Sequence, residues 1–490
     1  MPLKARQSQR PLLERLLIEK QIGQASFQMP GHKRKPVPDP TLAAYWGPDL
    51  YTADINEINP EIGYLPNPTG ALAEALRLAA EAFGADRTFF LVNGSTIGNI
   101  AAILSAVGEN EEIGIARTSH RSVYGGLVMS GARPVYLMPD VHPDIGSPVC
   151  LTPRQVETLI AQQPALKAVH LTSPSYYGYA PDLPALIALL QRAGIAALVD
   201  EAHGSHFHFH PALPPSAVDL KADLVIQSTH KTLTALTQAS MLHHNGSRID
   251  LNRLEQILAT LQSSSPSALL LASLDHARMV AAVHGESLLA RALELAHTAR
   301  QALRALDGVW CLGEESVGTA GVAAYDPTKL VIRVSRTGLT GYEVSQRLLD
   351  QHHIVTEFAD THQIICSITT ADTPADVERL IGAVRTILAG PARRALEVDA
   401  PIPIPDLPPQ ILTPRAAFLA RSLAISLVDA VGEIAADYLI PYPPGIPLLV
   451  PGERITPEML DYCRTLAARG ASFGEGGGLV QQQIRIVIKE

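Results

Sequence analysis

The stretch Ile195-Ala196-Ala197-Leu198-Val199-Asp200-Glu201-Ala202-His203-Gly204 decides the fold. Its five apolar residues end on a carboxylate, and a second short run, Leu224-Val225-Ile226, leads into Gln227-Ser228-Thr229-His230-Lys231. Uninterrupted apolar runs of this length, bounded by polar residues, are the pattern of buried strands in an α/β sheet. Polar residues just past the carboxyl ends of such strands face the ligand crevice. One strand end therefore offers an acid, Asp200, and another an amine, Lys231. An acid beside a protonated pyridine nitrogen and an amine bonded to an aldehyde are the two holds that pyridoxal phosphate requires. Each residue alone also has an ordinary reading, since an Asp after a strand caps helices and a Lys is usually solvated.

Upstream, Thr88-Phe89-Phe90-Leu91-Val92 precedes Asn93-Gly94-Ser95-Thr96-Ile97-Gly98-Asn99 and a helical segment from Ile100 to Val107. A strand, a tight turn and a helix start in this order expose backbone N–H groups and the hydroxyls of Ser95 and Thr96 to a phosphate. A plain N-cap turn fits the same residues. A further strand, Ile113 to Ala116, delivers Arg117-Thr118-Ser119-His120. The imidazole of His120 is suited either to lie over a cofactor ring or to cap the next helix.

The chain resembles the Orn/Lys/Arg decarboxylases of aminotransferase-like fold (fold type I), in the short form without an extra N-terminal domain. It is nearest in architecture to biosynthetic arginine decarboxylases. The resemblance runs through Phe27-Gln28-Met29-Pro30-Gly31-His32-Lys33, Asn93 to Asn99, Asp200 to Gly204 and Gln227 to Leu233. It continues in Asp326-Pro327-Thr328-Lys329-Leu330, Gly338-Leu339-Thr340-Gly341-Tyr342, Tyr442-Pro443-Pro444-Gly445-Ile446-Pro447 and Pro451-Gly452-Glu453.

The resemblance implies an α/β fold with a mostly parallel seven-stranded sheet, a small α/β domain and a C-terminal α+β domain. It implies decarboxylation of a basic amino acid, arginine ahead of lysine and ornithine, on pyridoxal 5'-phosphate. Lys231 is then the residue bonded to the cofactor, Asp200 the partner of the ring nitrogen and His120 the residue on the ring face. Ser95, Thr96, Ser228 and His230 become phosphate ligands, and His203 lies near the cofactor's phenolic oxygen. Ser264, within Ser263-Ser264-Ser265, reaches the phosphate of a neighbouring subunit, which requires a homodimer. The same scaffold also carries aminotransferases and lyases, and the residues named so far do not separate these chemistries.

Two places depart from the family pattern. Where acidic residues and a His are common, this chain has Ile62-Gly63-Tyr64-Leu65-Pro66-Asn67-Pro68-Thr69-Gly70, and a later acidic position falls on Ser422 or Leu423. A desolvated cationic group needs a nearby anion or several acceptors. Glu453, placed after Pro451-Gly452, is the expected anion for the substrate's distal cation; its alternatives are to cap the helix starting near Thr456 or to pair in the neighbourhood of Arg454.

The chain has 490 residues, 47% of them hydrophobic and 18% charged, enough for more than one core. A net charge of −9 argues against a nucleic-acid surface without excluding a cationic amino acid held by local carboxylates. The four cysteines have neither metal spacing nor a disulfide pattern, and His203, His206, His208 and His210 read as packing or cofactor-contacting residues rather than a metal site. No apolar run is long enough for a membrane span and the N-terminus lacks a signal-peptide core, so a cytoplasmic protein is expected.

The expected organisation is an arm over 1–60, a cofactor domain over 61–310, a small domain over 311–395, a Pro-rich linker over 396–412 and a C-terminal domain over 413–490. Strands are expected near Leu91, Ile115, Val135, Val169, Leu198 and Val225. Helices are expected over Pro153 to Gln162, Leu183 to Gln191, Ala268 to Leu306 and Thr413 to Leu439.

Overall fold

The computed structural model describes residues 3–22, 25–35, 41–47, 49–56, 59–390, 402–442, 446–473 and 483–488. It divides into two compact units, Met1–Ser105 with Leu198–Leu289, and Ala106–Ala197 with Ala290–Glu490. The major sheet has seven strands: β1 (Arg87–Leu91), β2 (Glu112–Ala116), β3 (Arg133–Leu137), β4 (Leu166–Thr172), β5 (Ala196–Asp200), β6 (Leu224–Gln227) and β7 (Ser240–His244).

In the first unit β1, β7, β6 and β5 are successive neighbours; β5 and β6 run parallel, while β7 is antiparallel to both β6 and β1. Every residue of β5, β6 and β7 is buried, and β5 and β6 run apolar without alternation up to their last residue. The strand β7 is the one the sequence reading did not locate, because Ser240-Met241-Leu242-His243-His244 ends in two histidines rather than apolar residues. The helix Gly94–Ala106 lies close against this sheet at Gly98, where a Cβ would come within 2.7 Å of Ile226 Cγ2 and 2.9 Å of Leu91 Cδ1. The arm is tied down by the buried Arg278, which donates to the carbonyls of Gln7 and Gln9 at 2.7 Å each. Asp275 accepts from Leu12 N–H at 3.0 Å, supplying the helix Pro11–Gln21 with the N-terminal acceptor that Arg10 does not provide.

In the second unit β2 pairs in parallel with both β3 and β4. The helices Pro153–Gln162 and Leu183–Arg192 have the expected bounds to within one residue, each with a Pro in the first turn and a side-chain cap from Thr152 or Asp182. The second unit also holds a four-stranded antiparallel sheet with the central strands Lys329–Arg333 and Gln363–Ser367. Leu330, Ile332 and Ile364 of this sheet share a core with Val344, Leu348, Leu380 and Val384 of the helices Gly341–His352 and Pro374–Leu388.

The C-terminal segment corrects one expectation. The helix expected over Thr413 to Leu439 is only Pro414–Leu419, and Ser422–Ser426 is a strand paired antiparallel with Gln483–Val487. Alternation of Leu423 and Ile425 with small residues suits a strand once a partner is present, and that partner lies far along the chain. The linker is described from Ile402 onward, where it lacks regular structure; its residues 396–401 lie outside the described residues. Among the described residues no helix is long and apolar enough to cross a membrane, and no group of His, Cys, Asp and Glu could hold a metal ion.

Candidate active site

The first unit brings together most of the expected site residues. Asp200 is the last residue of β5, 4% exposed, with each carboxylate oxygen held by one neutral donor. Its Oδ1 accepts from the Ala202 N–H at 3.0 Å and its Oδ2 from Asn99 Nδ2 at 2.8 Å. A carboxylate has about four acceptor directions, so this one keeps capacity for a further, cationic donor.

Lys231 lies in the short helix Thr229–Thr232 just after β6, with its Nζ 3.0 Å from Nε2 of the buried His203. Beside Lys231, His230 donates from Nδ1 to the carbonyl of Ala239 at 2.9 Å, and burial holds its pKa below the ordinary value. A neutral imidazole that donates through Nδ1 has an acceptor at Nε2. The contact with Ala239 fastens the Lys231 turn to the residue before β7.

Three hydroxyls meet at the start of the helix Gly94–Ala106. Ser95 Oγ lies 2.7 Å from Ser228 Oγ and 3.3 Å from Ser240 Oγ. Gly94 has φ +72°, a conformation glycine adopts without strain, and the nearest atom to a Cβ there would be Gln238 O at 3.8 Å. The hydroxyls thus form a cup beside the N–H groups of the helix start. Thr96 is exposed in the first turn of the same helix. Ser240 escaped the sequence reading together with β7; Asn99 stood inside the quoted motif, but its partner is 101 residues away.

The cup and the two holds fit pyridoxal phosphate. The cup suits a dianion, Lys231 an aldehyde carbon, and Asp200, buried with neutral donors only, a ring cation. Ser264 is exposed in the turn after the helix Leu251–Leu261.

Glu201, next to Asp200, is fully buried and accepts from Ser216 Oγ, the Ala217 N–H and Gln227 Nε2. Burial without a cation among these partners pushes its pKa up to about 8. Gln227 in turn lies 3.1 Å from His243 Nε2, and His243 Nδ1 lies 2.8 Å from Thr88 Oγ1. Burial holds His243 down at about 3, so this layer behind the site is uncharged near neutrality.

The second unit holds the remaining two expected residues. His120 is the N-cap of the helix Arg121–Ser130, its Nδ1 accepting from the Ser122 N–H at 3.3 Å. Glu453, expected as an anion on offer at a turn, is 0% exposed. Its Oε2 accepts from Arg117 Nη2 at 2.8 Å and from the Val450 N–H at 2.9 Å. Arg117 also donates to the Leu448 carbonyl at 2.9 Å, and its guanidinium carbon lies 5.0 Å from the Tyr136 ring centroid. The adjoining helix Pro457–Ala468 is capped by Thr456 rather than by Glu453, whose partner is Arg117. Beside Arg117 is a largely apolar cavity of about 150 Å³, with Tyr177, Asp360 and the linker residues Ile402 and Ile404 in its wall.

Residues 10–376 match the family described as Orn/Lys/Arg decarboxylase, major domain, and residues 406–474 match its C-terminal domain. The chain is 37% identical over 462 residues to an arginine decarboxylase of Halalkalibacterium halodurans, with 94% of each chain covered. It is 36% identical over 441 residues to an arginine decarboxylase of Bacillus subtilis, covering 89% of each. Lysine decarboxylase LdcA of Pseudomonas aeruginosa is 26% identical over 558 residues, covering 89% of this chain and 73% of the other. Among solved structures, lysine decarboxylase LdcF of Francisella novicida superposes with a TM-score of 0.83 at 19% identity, over 98% of this chain and 81% of that one.

Proposed function

The chain belongs to the Orn/Lys/Arg decarboxylase family, and on that premise we propose that it converts arginine to agmatine and CO2. It is a pyridoxal phosphate-dependent amino acid decarboxylase of fold type I. The substrate reading is supported by one observation: arginine decarboxylases are 34–37% identical to it over most of its length, whereas the lysine decarboxylase LdcA is 26% identical.

Pyridoxal phosphate, when bound, supplies an electron-poor ring that takes up the electron pair left at the α-carbon as CO2 departs. The amine of Lys231 would hold the cofactor by its aldehyde carbon. Lys231 Nζ, 3.0 Å from His203 Nε2, would be placed to hold or pass on a proton at that atom. Asp200 would be the partner of the ring nitrogen, where a carboxylate favours the protonated form of that nitrogen. Ser95, Thr96 and Ser228, with the N–H groups of the helix start, hold the phosphate, and Ser240 completes the hydroxyl cluster.

A cytoplasmic homodimer belongs to this reading. The four cysteines are free and buried, and the exposed Ser264 is available to a neighbouring subunit's phosphate. CO2 release from arginine, lysine and ornithine tests the substrate: the highest kcat/KM is expected on arginine, and a higher value on lysine or ornithine would replace it.

A further inference from the structure

We infer that Asn99 is a positioning residue for the reaction, fixing Asp200 so that its charge stays on the acceptor side of the ring nitrogen. This deepens the proposed function and rests on the reading that Asp200 faces that nitrogen. Asn99 is 1% exposed, and its Nδ2 donates to Asp200 Oδ2 at 2.8 Å. An ionised carboxylate only accepts, so it is the amide nitrogen and not the oxygen that must face it. With Ala202 N–H on Oδ1, the two donors immobilise both oxygens without neutralising the charge. Without the amide, Oδ2 would lose its donor in a buried place, and the carboxylate would no longer be held in one orientation.

The placement of Asn99 adds to this. It lies four residues after Ser95 on the helix Gly94–Ala106, so the two side chains share one helix face. One rigid element thereby meets the phosphate cup at its first turn and the partner of the ring nitrogen one turn later. Gly98 supports the arrangement, because the absence of a Cβ lets the helix sit against Ile226 and Leu91.

The test uses holoenzyme reconstituted with cofactor labelled with ¹⁵N in the ring. In Asn99→Ala we expect borohydride to fix the cofactor on Lys231 as before, kcat to fall on the order of 10-fold to 100-fold with KM little changed, and the ¹⁵N resonance to move towards the unprotonated position. Asn99→Asp, nearly isosteric, keeps the assignment testable where Asn99→Ala fails to fold. Two facing carboxylates must share a proton at low pH, and a protonated Asp at 99 restores the donor. Its kcat is therefore expected to recover as pH falls, a profile that a merely structural role would not produce. An unchanged ¹⁵N resonance in Asn99→Ala, or a kcat–pH profile in Asn99→Asp that matches the parent, overturns the inference. Asp200→Ala separates the two readings. If it too leaves the resonance and turnover unchanged, the assignment of Asp200 has failed; if it alters both while the Asn99 variants do not, only the role of Asn99 has failed.

Discussion

Asp200 and Glu453 are both buried carboxylates, one in each unit, and they differ in what faces them. Asp200 has two neutral donors, whereas Glu453 has a guanidinium. A buried acid held only by dipoles keeps its charge available to an incoming cation; a buried acid already paired is part of the framework. Burial is common to both and decides nothing. The identity of the donors separates a group that acts on a ligand from one that holds the protein together.

Substitutions on the two sides should separate accordingly. The largest effect is expected at the amine that completes the Asp200 site: Lys231→Ala should bring turnover to background and abolish borohydride fixation of the cofactor at that position, read by peptide mass. Fixation on another lysine would break the comparison at its root. Asp200→Ala should lower kcat by roughly 10²-fold to 10³-fold, about 3–4 kcal/mol of transition-state stabilisation, with the cofactor still bound and the melting temperature little changed. Glu453→Ala should do the reverse. Stranding Arg117 without its carboxylate should cost about 3–5 kcal/mol in urea unfolding, with no selective rise in KM for the basic substrate. A selective rise in KM at unchanged stability would return Glu453 to substrate recognition.

Glu201 gives the smallest effect and sharpens the comparison from a third direction, since it is buried with neutral partners but faces no ligand. The folded chain keeps its proton up to about pH 8, while the unfolded chain releases it near 4.5. Its contribution to stability is therefore complete below pH 4.5 and lost as pH rises towards 8. Glu201→Gln should remove this slope, about 1 kcal/mol per pH unit within that window, as measured by unfolding at pH 5 and pH 8.

How much of this was legible in sequence follows from how local each signal is. Lys231 and Asp200 stand directly after apolar runs, and Pro153–Gln162 announces itself with Thr152, Pro153 and Gln155, so a few adjacent residues sufficed. The strand Ser422–Ser426 was misread as helix because its partner, Gln483–Val487, is decided by tertiary pairing. The strand Ser240–His244 was missed, and Ser240 with it, because His243 and His244 are buried through hydrogen bonds rather than apolar character. Asn99 and Arg117 were plainly present, but their roles depend on Asp200 and Glu453, 101 and 336 residues away. The motifs identified the chemistry; which acid was available could be seen only once its partners were in place.

The close seat at Gly98 has a consequence for cofactor analogues. A molecule with a longer or shorter arm between ring and phosphate has to move Ser95 relative to Asn99, yet both are carried by a single helix that has no slack against Ile226 and Leu91. On the proposed reading, with the phosphate at Ser95 and the ring nitrogen at Asp200, the enzyme would measure the length of what it accepts, and enlarging Gly98 would change both ends of the gauge together rather than resetting its span.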